Sequence, residues 1–271
     1  MSIWEDRIAR ARTLAAAHPA AAPMLSFYAE LAGYQRALQS SASKSEPGAG
    51  QPFAAAVDID TASVAVIPFL AWLGRHAPPA LAELASDVGS LEPAAWREMM
   101  EGRLVHVDLD EPLGFIVDAV LQPFAEASAR RSRQWPEGLE RRASDEPTSS
   151  GALACCPVCG GAPVVAALKE EGQGAKRVLV CSLCASEWDY LRVICPACDE
   201  KRFEALPVYT TEAVEHVRID ACDTCRVYLK TVDLTKDGLA LPVVDDIATV
   251  SLDLWAREAG YTRLHPNLLR L

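Results

Sequence analysis

The sequence predicts an α+β multidomain protein with an N-terminal all-α helical domain, two consecutive small metal-binding domains built of strands, and a C-terminal helix. Residues 1–130 carry apolar side chains at helical spacing. Residues 155–235 form short Val- and Leu-rich runs separated by Gly-rich or charged turns, as strands do. Eight of the nine cysteines fall in Cys-x-x-Cys pairs within this second region. A stretch rich in Pro, Glu, Ser and Thr, 135–151, divides the two regions.

The sequence of the N-terminal half predicts where several helices start. Ser2 and Glu5 have the spacing of a capping box. A second apolar stripe runs from Met24 to Leu38, and the polar stretch 40–52 interrupts the pattern. Asp60 or Thr61 is expected to cap a third helix that continues to Trp72. Three more helices are expected to begin at prolines: Pro79–Val88, Pro93–Glu101 and Pro112–Arg133.

No catalytic constellation is apparent in the helical half. His18, His76 and His106 have no partner at ligand spacing, and we interpret them as surface or capping histidines. With 50% hydrophobic and 23% charged residues the chain is globular. Its longest apolar run, 62–73, contains Pro68 and predicts a buried helix, so no membrane insertion is expected.

The N-terminus and the net charge indicate where the chain works. Acidic residues stand where a secretory signal would need a positive region, so a cytoplasmic location is expected. A net charge of −11 opposes binding to nucleic acid. The five arginines within 130–142 are the local exception, and a helix end followed by a linker explains them.

The cysteine region consists of two copies of one unit, in which a Cys-x-x-Cys knuckle, two strands, a second knuckle and a third strand follow one another. The knuckles are separated by 21 residues in the first copy and 23 in the second. This spacing is typical of a zinc ribbon or a rubredoxin-like fold with a four-sulfur metal site. The expected strands are Pro163–Leu168, Lys176–Val180, Glu187–Ile194, Phe203–Tyr209, Val214–Ile219 and Val227–Leu234.

The segment between Cys184 and Cys195 decides which knuckles share an ion. If this segment is extended it spans roughly 35 Å, which is too far for the second and third knuckles to bind one metal. An interleaved pairing requires this segment to fold back, and that alternative stays open. The preferred assignment is site one from Cys156, Cys159, Cys181 and Cys184, and site two from Cys195, Cys198, Cys222 and Cys225.

A tetrahedral four-thiolate cage fits two metal ions, Fe or Zn, one per site. Zinc would be a structural staple, whereas iron would resemble rubredoxin and pass one electron. Dithiol chemistry is disfavoured because strands, not a helix, follow the Cys-Pro-x-Cys sequences. Cys155 is interpreted as a partly buried thiol without a role. Two alternatives are a free thiol beside site one and an alternative metal ligand.

The tail is expected to form one helix capped by Asp245 or Asp246 and stopped at Gly260. Ile247, Val250, Leu254 and Trp255 would share its apolar face. The domains are therefore predicted as 1–150 (helical, with a linker at its end), 151–192 (first ribbon), 193–240 (second ribbon) and 241–271 (C-terminal helical segment).

The residues around the four knuckles are as distinctive as the knuckles themselves. They include Gly160, Glu187-Trp188, Arg192-Val193-Ile194, Tyr228-Leu229-Lys230, Asp245-Asp246, Glu258-Ala259-Gly260-Tyr261 and His265-Pro266-Asn267. With the cysteines, this series resembles the formate dehydrogenase accessory protein family, FdhE, over about 150–270.

The resemblance implies a cytoplasmic, non-enzymatic assembly factor needed for active respiratory formate dehydrogenase. Its partner would be the catalytic subunit of that enzyme, bound before export, and its eight cysteines would hold iron in rubredoxin-like folds. Two alternatives are a rubredoxin-like electron carrier acting on the formate dehydrogenase and a zinc-ribbon nucleic-acid binder, the latter opposed by the charge.

Overall fold

The computed structural model describes residues 2–42, 51–107, 109–131 and 154–270. The polar break predicted at 40–52 falls largely outside the described residues, as do the expected boundary at 135–151 and most of the arginine cluster at 130–142. None of the described helices combines the length and the apolar character that crossing a membrane would require.

Seven helices lie within the described residues of the N-terminal half, and α7 is at their centre. Phe115, Val120 and Phe124 of α7 are buried, and α2, α4 and α6 pack around them. One hydrophobic core joins these helices to the sheet, because it also includes Leu179 and Leu229. The helices are α1 (Ile3–Ala17), α2 (Ala22–Ser41), α3 (Phe53–Ala56), α4 (Ile59–His76), α5 (Pro79–Asp87), α6 (Pro93–Leu104) and α7 (Glu111–Arg131).

The helix starts follow the sequence signals with one exception. Ser2 and Glu5 form the expected capping box on α1. The predicted cap of α4 was wrong: Asp58, not Asp60 or Thr61, caps it, and the Asp58 carboxylate accepts a hydrogen bond from the Thr61 backbone N–H. An aspartate three residues before a free N–H is the better-placed acceptor.

The two predicted ribbons share one seven-stranded sheet of order β3-β2-β1-β6-β5-β4, with β7 paired to β6. Each ribbon is antiparallel, and a parallel pairing of β1 with β6, Ala166 opposite Thr231, joins them. The division at 150, 192 and 240 stays a proposal about sequence units, since the sheet crosses it. The strands are β1 (Pro163–Glu171), β2 (Gly174–Cys181), β3 (Glu187–Tyr190), β4 (Val208–Tyr209), β5 (Val217–Ala221), β6 (Val227–Asp233) and β7 (Thr262–Arg263).

Two strands, β3 and β4, are much shorter than predicted. The chain leaves β3 at Tyr190 and turns so that it can present Cys195 at the next knuckle. A 3-10 helix, Phe203–Ala205, replaces the start of the fourth predicted strand. Pro207 follows it and has no N–H to donate to a ladder, which leaves only the two-residue β4.

The C-terminal segment forms two helices, α8 (Pro242–Ala248) and α9 (Val250–Glu258), where one was predicted. Thr249, with φ −108° and ψ 38°, interrupts the helix between them. The predicted apolar face was therefore wrong, because Leu254 and Trp255 are exposed while Asp253 is buried. Gly260 follows α9 at φ 80°, as expected for a helix stop.

Neither aspartate of the Asp245–Asp246 pair is an N-cap. Both lie inside α8 and are fully buried. Asp245 bonds Arg10 of α1, while Asp246 accepts hydrogen bonds from Arg263 and Asn267. Their buried charges bind α8 to the rest of the chain.

Candidate metal centres

The four cysteines assigned to site one converge at the junction of the first ribbon and the helical core. The Sγ atoms of Cys156 and Cys184 lie 3.7 Å apart, and those of Cys159 and Cys181 lie 3.4 Å apart. All four residues are buried. Cys181 ends β2, so the strand itself places one ligand.

The four cysteines assigned to site two meet beside the turn that joins β5 to β6. Cys195 and Cys225 approach to 3.7 Å between sulfurs, as do Cys198 and Cys222. Cys198 and Cys225 are only half-buried, so this site reaches solvent where site one does not.

All four knuckles adopt the same backbone turn. The residue after the second cysteine has a left-handed φ in each case: Gly160 at 79°, Ala185 at 53°, Asp199 at 57° and Arg226 at 59°. This conformation turns the chain back beneath the sulfurs. In the first knuckle the Gly161 N–H then points at the sulfur of Cys159, 3.4 Å away. Backbone N–H donors of this kind stabilise thiolates over thiols.

The sulfur geometry fits a metal ion. Four sulfurs placed tetrahedrally about 2.3 Å from a zinc or iron ion lie about 3.8 Å apart. Within each site the four ligand atoms lie within 4.8 Å of one another. A disulfide would need about 2.05 Å, and all nine cysteines are free of disulfides. The structure groups the knuckles as first with second and third with fourth, not in the interleaved order.

The thiols of each cluster differ in acidity. Hydrogen bonding, chiefly with Cys159, lowers the pKa of Cys156, while burial raises the pKa of Cys181. In the second cluster burial raises the pKa of Cys195. Burial also acts on Cys222, but backbone N–H groups of its own knuckle outweigh it and lower the pKa. Each cluster thus favours a thiolate at one position while protons remain on others, and metal ligation would displace those protons.

Cys155 lies outside both clusters and is exposed, so the interpretation of a partly buried thiol was wrong. His106 is an exposed histidine, as interpreted, but it contacts the first knuckle. A Cβ atom added to Gly160 would lie 2.6 Å from His106 Nε2, so a larger residue there would require the His106 ring to move. Nothing in the sequence spacing connects the two residues.

One further cluster, His216, Asp237 and Asp245, has ligand-type atoms close together and was not expected from the sequence. Its geometry is that of an ion-pair network. Arg10 Nη2 lies 2.6 Å from Asp237 and 2.5 Å from Asp245, and His216 bonds Asp245 at 2.8 Å. The guanidinium occupies the position a cation would take.

The sequence of this chain matches two family domains and several known proteins. Residues 155–192 match the family domain described as FdhE, central domain, and residues 179–270 match FdhE, C-terminal domain. A Protein FdhE homolog of Aquifex aeolicus is 31% identical over 208 residues, covering 74% of this chain and 68% of that protein. The chain belongs to the FdhE family.

Other FdhE proteins agree in sequence and in fold. The Protein FdhE homolog of Pseudomonas aeruginosa is 36% identical over 165 residues, which cover 57% of this chain and 51% of that protein. The crystal structure of the FdhE protein from Pseudomonas aeruginosa superposes with a TM-score of 0.73 and 26% identity. That superposition covers 99% of this chain and 95% of the other, so the helical half shares the fold as well.

Proposed function

We propose that this FdhE-family chain is an accessory factor for the maturation of respiratory formate dehydrogenase. It binds the catalytic subunit of that enzyme in the cytoplasm before export, and it acts without catalysing a reaction of its own. The observation that carries the proposal is the family membership, joined to two four-sulfur centres built into one sheet.

The eight clustered cysteines are the proposed ligands of two metal ions, Fe or Zn. Site one lies in the core shared by the helices and the sheet, where a bound ion would fix the first ribbon against α7. Site two belongs to the second ribbon, whose strands are shorter, and has two half-buried ligands. The two sites therefore suit different tasks, structural support for the first and contact with a partner for the second.

Copurification tests the proposed role. A tagged catalytic subunit, prepared with and without its cofactors, should retain this chain from anaerobic lysate, and a strain lacking the chain should lose formate dehydrogenase activity. A variant with serine at Cys222 and Cys225 separates the role of site two from that of the rest of the chain. Normal enzyme activity in the deleted strain, together with no copurification in either cofactor state, would refute the proposal.

The exposure of Cys198 and Cys225 favours a second candidate, an electron carrier acting on the formate dehydrogenase. Electron transfer requires sulfur ligands close to the surface, and site two provides them. Protein purified without oxygen should then be red and show a reversible one-electron couple. Colourless protein with two equivalents of zinc would eliminate this candidate and leave the accessory role intact.

A further inference from the structure

A buried arginine next to site two lies over the ring of Tyr190, but two of its three guanidinium nitrogens lack hydrogen bonds within the described residues. Arg177 projects from β2 and its side chain is 2% exposed. Its Nη1 donates to the carbonyl oxygen of Ile194, the residue before Cys195, at 3.3 Å. Its Nε and Nη2 have no hydrogen-bond partner among the described residues. Buried polar groups are normally satisfied, so these N–H groups call for an explanation.

The nearest carboxylate is already engaged. Asp220 lies 3.7 Å from Arg177 Nη2, but it accepts a 2.8 Å bond from Arg218 and a 2.7 Å bond from Thr231. One carboxylate therefore faces two guanidinium groups. This leaves one positive charge in excess beneath the second ribbon, in a place where water cannot screen it well.

The arginines beneath the second ribbon and two cysteines of site two line the same cavity. A cavity of about 40 Å³ is bounded by Arg177, Arg218 and Asp220 and also by Cys195 and Cys222. Four thiolates around a divalent ion carry a net charge of −2. A buried anion of this kind is costly unless a cation compensates it.

We propose that Arg177 is the buried counter-cation of site two, a positioning residue that stabilises the negatively charged metal–sulfur cage and holds the knuckle at Ile194–Cys195. This inference rests on the proposed metal binding by site two and is independent of the formate dehydrogenase role. If the bound metal is iron, the same charge favours the ferrous state, which carries one more negative charge than the ferric state.

Arg103 provides a matched comparison in the helical half. Its Nε bonds Asp118 at 2.8 Å, Arg270 bonds the same carboxylate at 2.7 Å, and its Nη2 has no hydrogen-bond partner in the part of the chain that the structure describes. Arg103 belongs to α6, and His106 just beyond that helix touches the first knuckle. A substitution at Arg103 therefore removes an equally buried guanidinium without altering the surroundings of site two.

Release of zinc to a chromogenic chelator measures the effect on the full-length, zinc-loaded protein. Two phases are expected, and loss of the faster one in the C222S/C225S variant assigns it to site two. Arg177→Met should accelerate that phase about tenfold, as loss of a group supporting metal ligands commonly does. Arg177→Lys keeps the charge and should stay close to wild type, and Arg103→Met should leave the site-two phase unchanged.

Asp220→Asn separates the electrostatic role from a packing role. Removing the carboxylate leaves more positive charge beside the sulfurs, so site-two release should slow even though an ion pair is lost. In iron-loaded protein, Arg177→Met should lower the reduction potential of site two. Far-ultraviolet circular dichroism reports whether each variant is folded, and the slow phase of site one does so for the Arg177 and Asp220 variants.

The proposal is overturned if Arg177→Met leaves the site-two phase unchanged, or if Arg177→Lys loses as much zinc retention as Arg177→Met. Faster release from Asp220→Asn would also overturn it. Should Arg177→Met fail to fold, the unchanged release expected for Arg177→Lys and the slower release expected for Asp220→Asn still decide the question. Wild-type protein that binds no zinc would refute the metal sites themselves, whereas failure of the variants alone refutes only the role of Arg177.

Discussion

Replacement of Lys230 by methionine is expected to lower the free energy of unfolding by about 3–5 kcal/mol. Lys230 lies on β6 with its side chain fully buried. Its ammonium group lies 2.6 Å from Asp253 and 3.1 Å from Asp246, and it donates to the Asp246 carbonyl oxygen at 2.5 Å. Arg263 binds both carboxylates, at 2.6 and 2.7 Å. These four residues form the Lys230 network.

The magnitude follows from the charge balance of the Lys230 network. Two cations and two anions, each with a side chain no more than 5% exposed, balance in the wild type. Methionine has nearly the length of lysine, so the cavity contribution is small. It removes one cation and leaves a net negative charge buried against the sheet, which is the costly case of a broken buried ion pair.

Urea unfolding of the zinc-loaded protein measures the loss. Lys169→Met is the matched control, because Lys169 also lies on a strand and pairs with an acid, Glu187, but at 36% and 40% exposure. That surface pair should contribute at most about 1 kcal/mol. The K230M/D253N double variant restores the charge balance and should be less destabilised than the sum of its single variants. A K230M loss no larger than that of K169M would refute the reasoning.

Three further predictions concern the cysteines. In the C222S/C225S variant, elemental analysis should find one bound metal ion instead of two, and the helical signal in circular dichroism should be retained. In the C181S/C184S variant, the cooperative unfolding transition should be lost. Cys155→Ser should keep both ions, and loss of one would show that Cys155 is a ligand. Burial and hydrogen bonding within the clusters raise the pKa values of several thiols, so zinc binding should release protons and should tighten as the pH rises. A pH indicator in weak buffer detects the released protons. Zinc affinity that does not change with pH would contradict this prediction.

Acid should weaken the fold through Asp246. Burial acts to raise the pKa of Asp246, but the charges of Arg263 and Lys230 outweigh it and lower the pKa. A depressed carboxyl pKa stabilises the fold above the unfolded value, near 3.9, and that stability is lost as pH falls through the folded value. The loss of stability below pH 4 should be smaller in Asp246→Asn than in wild type, and equal losses would contradict this assignment.

The metal clusters were predictable because their signal is local. Two cysteines three residues apart fix a knuckle, and the length of chain between knuckles limits which of them meet. The shared left-handed turn was foreseeable only at Gly160, since Ala185, Asp199 and Arg226 adopt the same φ without being glycine. At Ala185, Asp199 and Arg226 the turn that directs the backbone toward the sulfurs outweighs the usual preference of non-glycine residues for negative φ.

The join between the ribbons could not be predicted in the same way. β1 and β6 pair in parallel, with Ala166 opposite Thr231, and no turn residue or repeat links positions so distant in the chain. The buried ion pairs have the same property. Arg7 and Glu126 lie 2.8 Å apart although 119 residues separate them. Hydrophobic periodicity locates a buried face but does not show which charges will meet there.

The asymmetry between the two sites follows from that parallel join. Pairing β1 with β6 places both ribbons in one sheet, and both contribute to the main core, but only the cysteines of site one belong to that core. All four cysteines of site one are consequently buried, whereas site two lies outside the main core with Cys198 and Cys225 half-buried. A bound ion in the first position is inseparable from the fold, while the second is accessible to a partner and depends more on local groups such as Arg177. Two nearly identical sequence units thus acquire different roles from their places in one sheet.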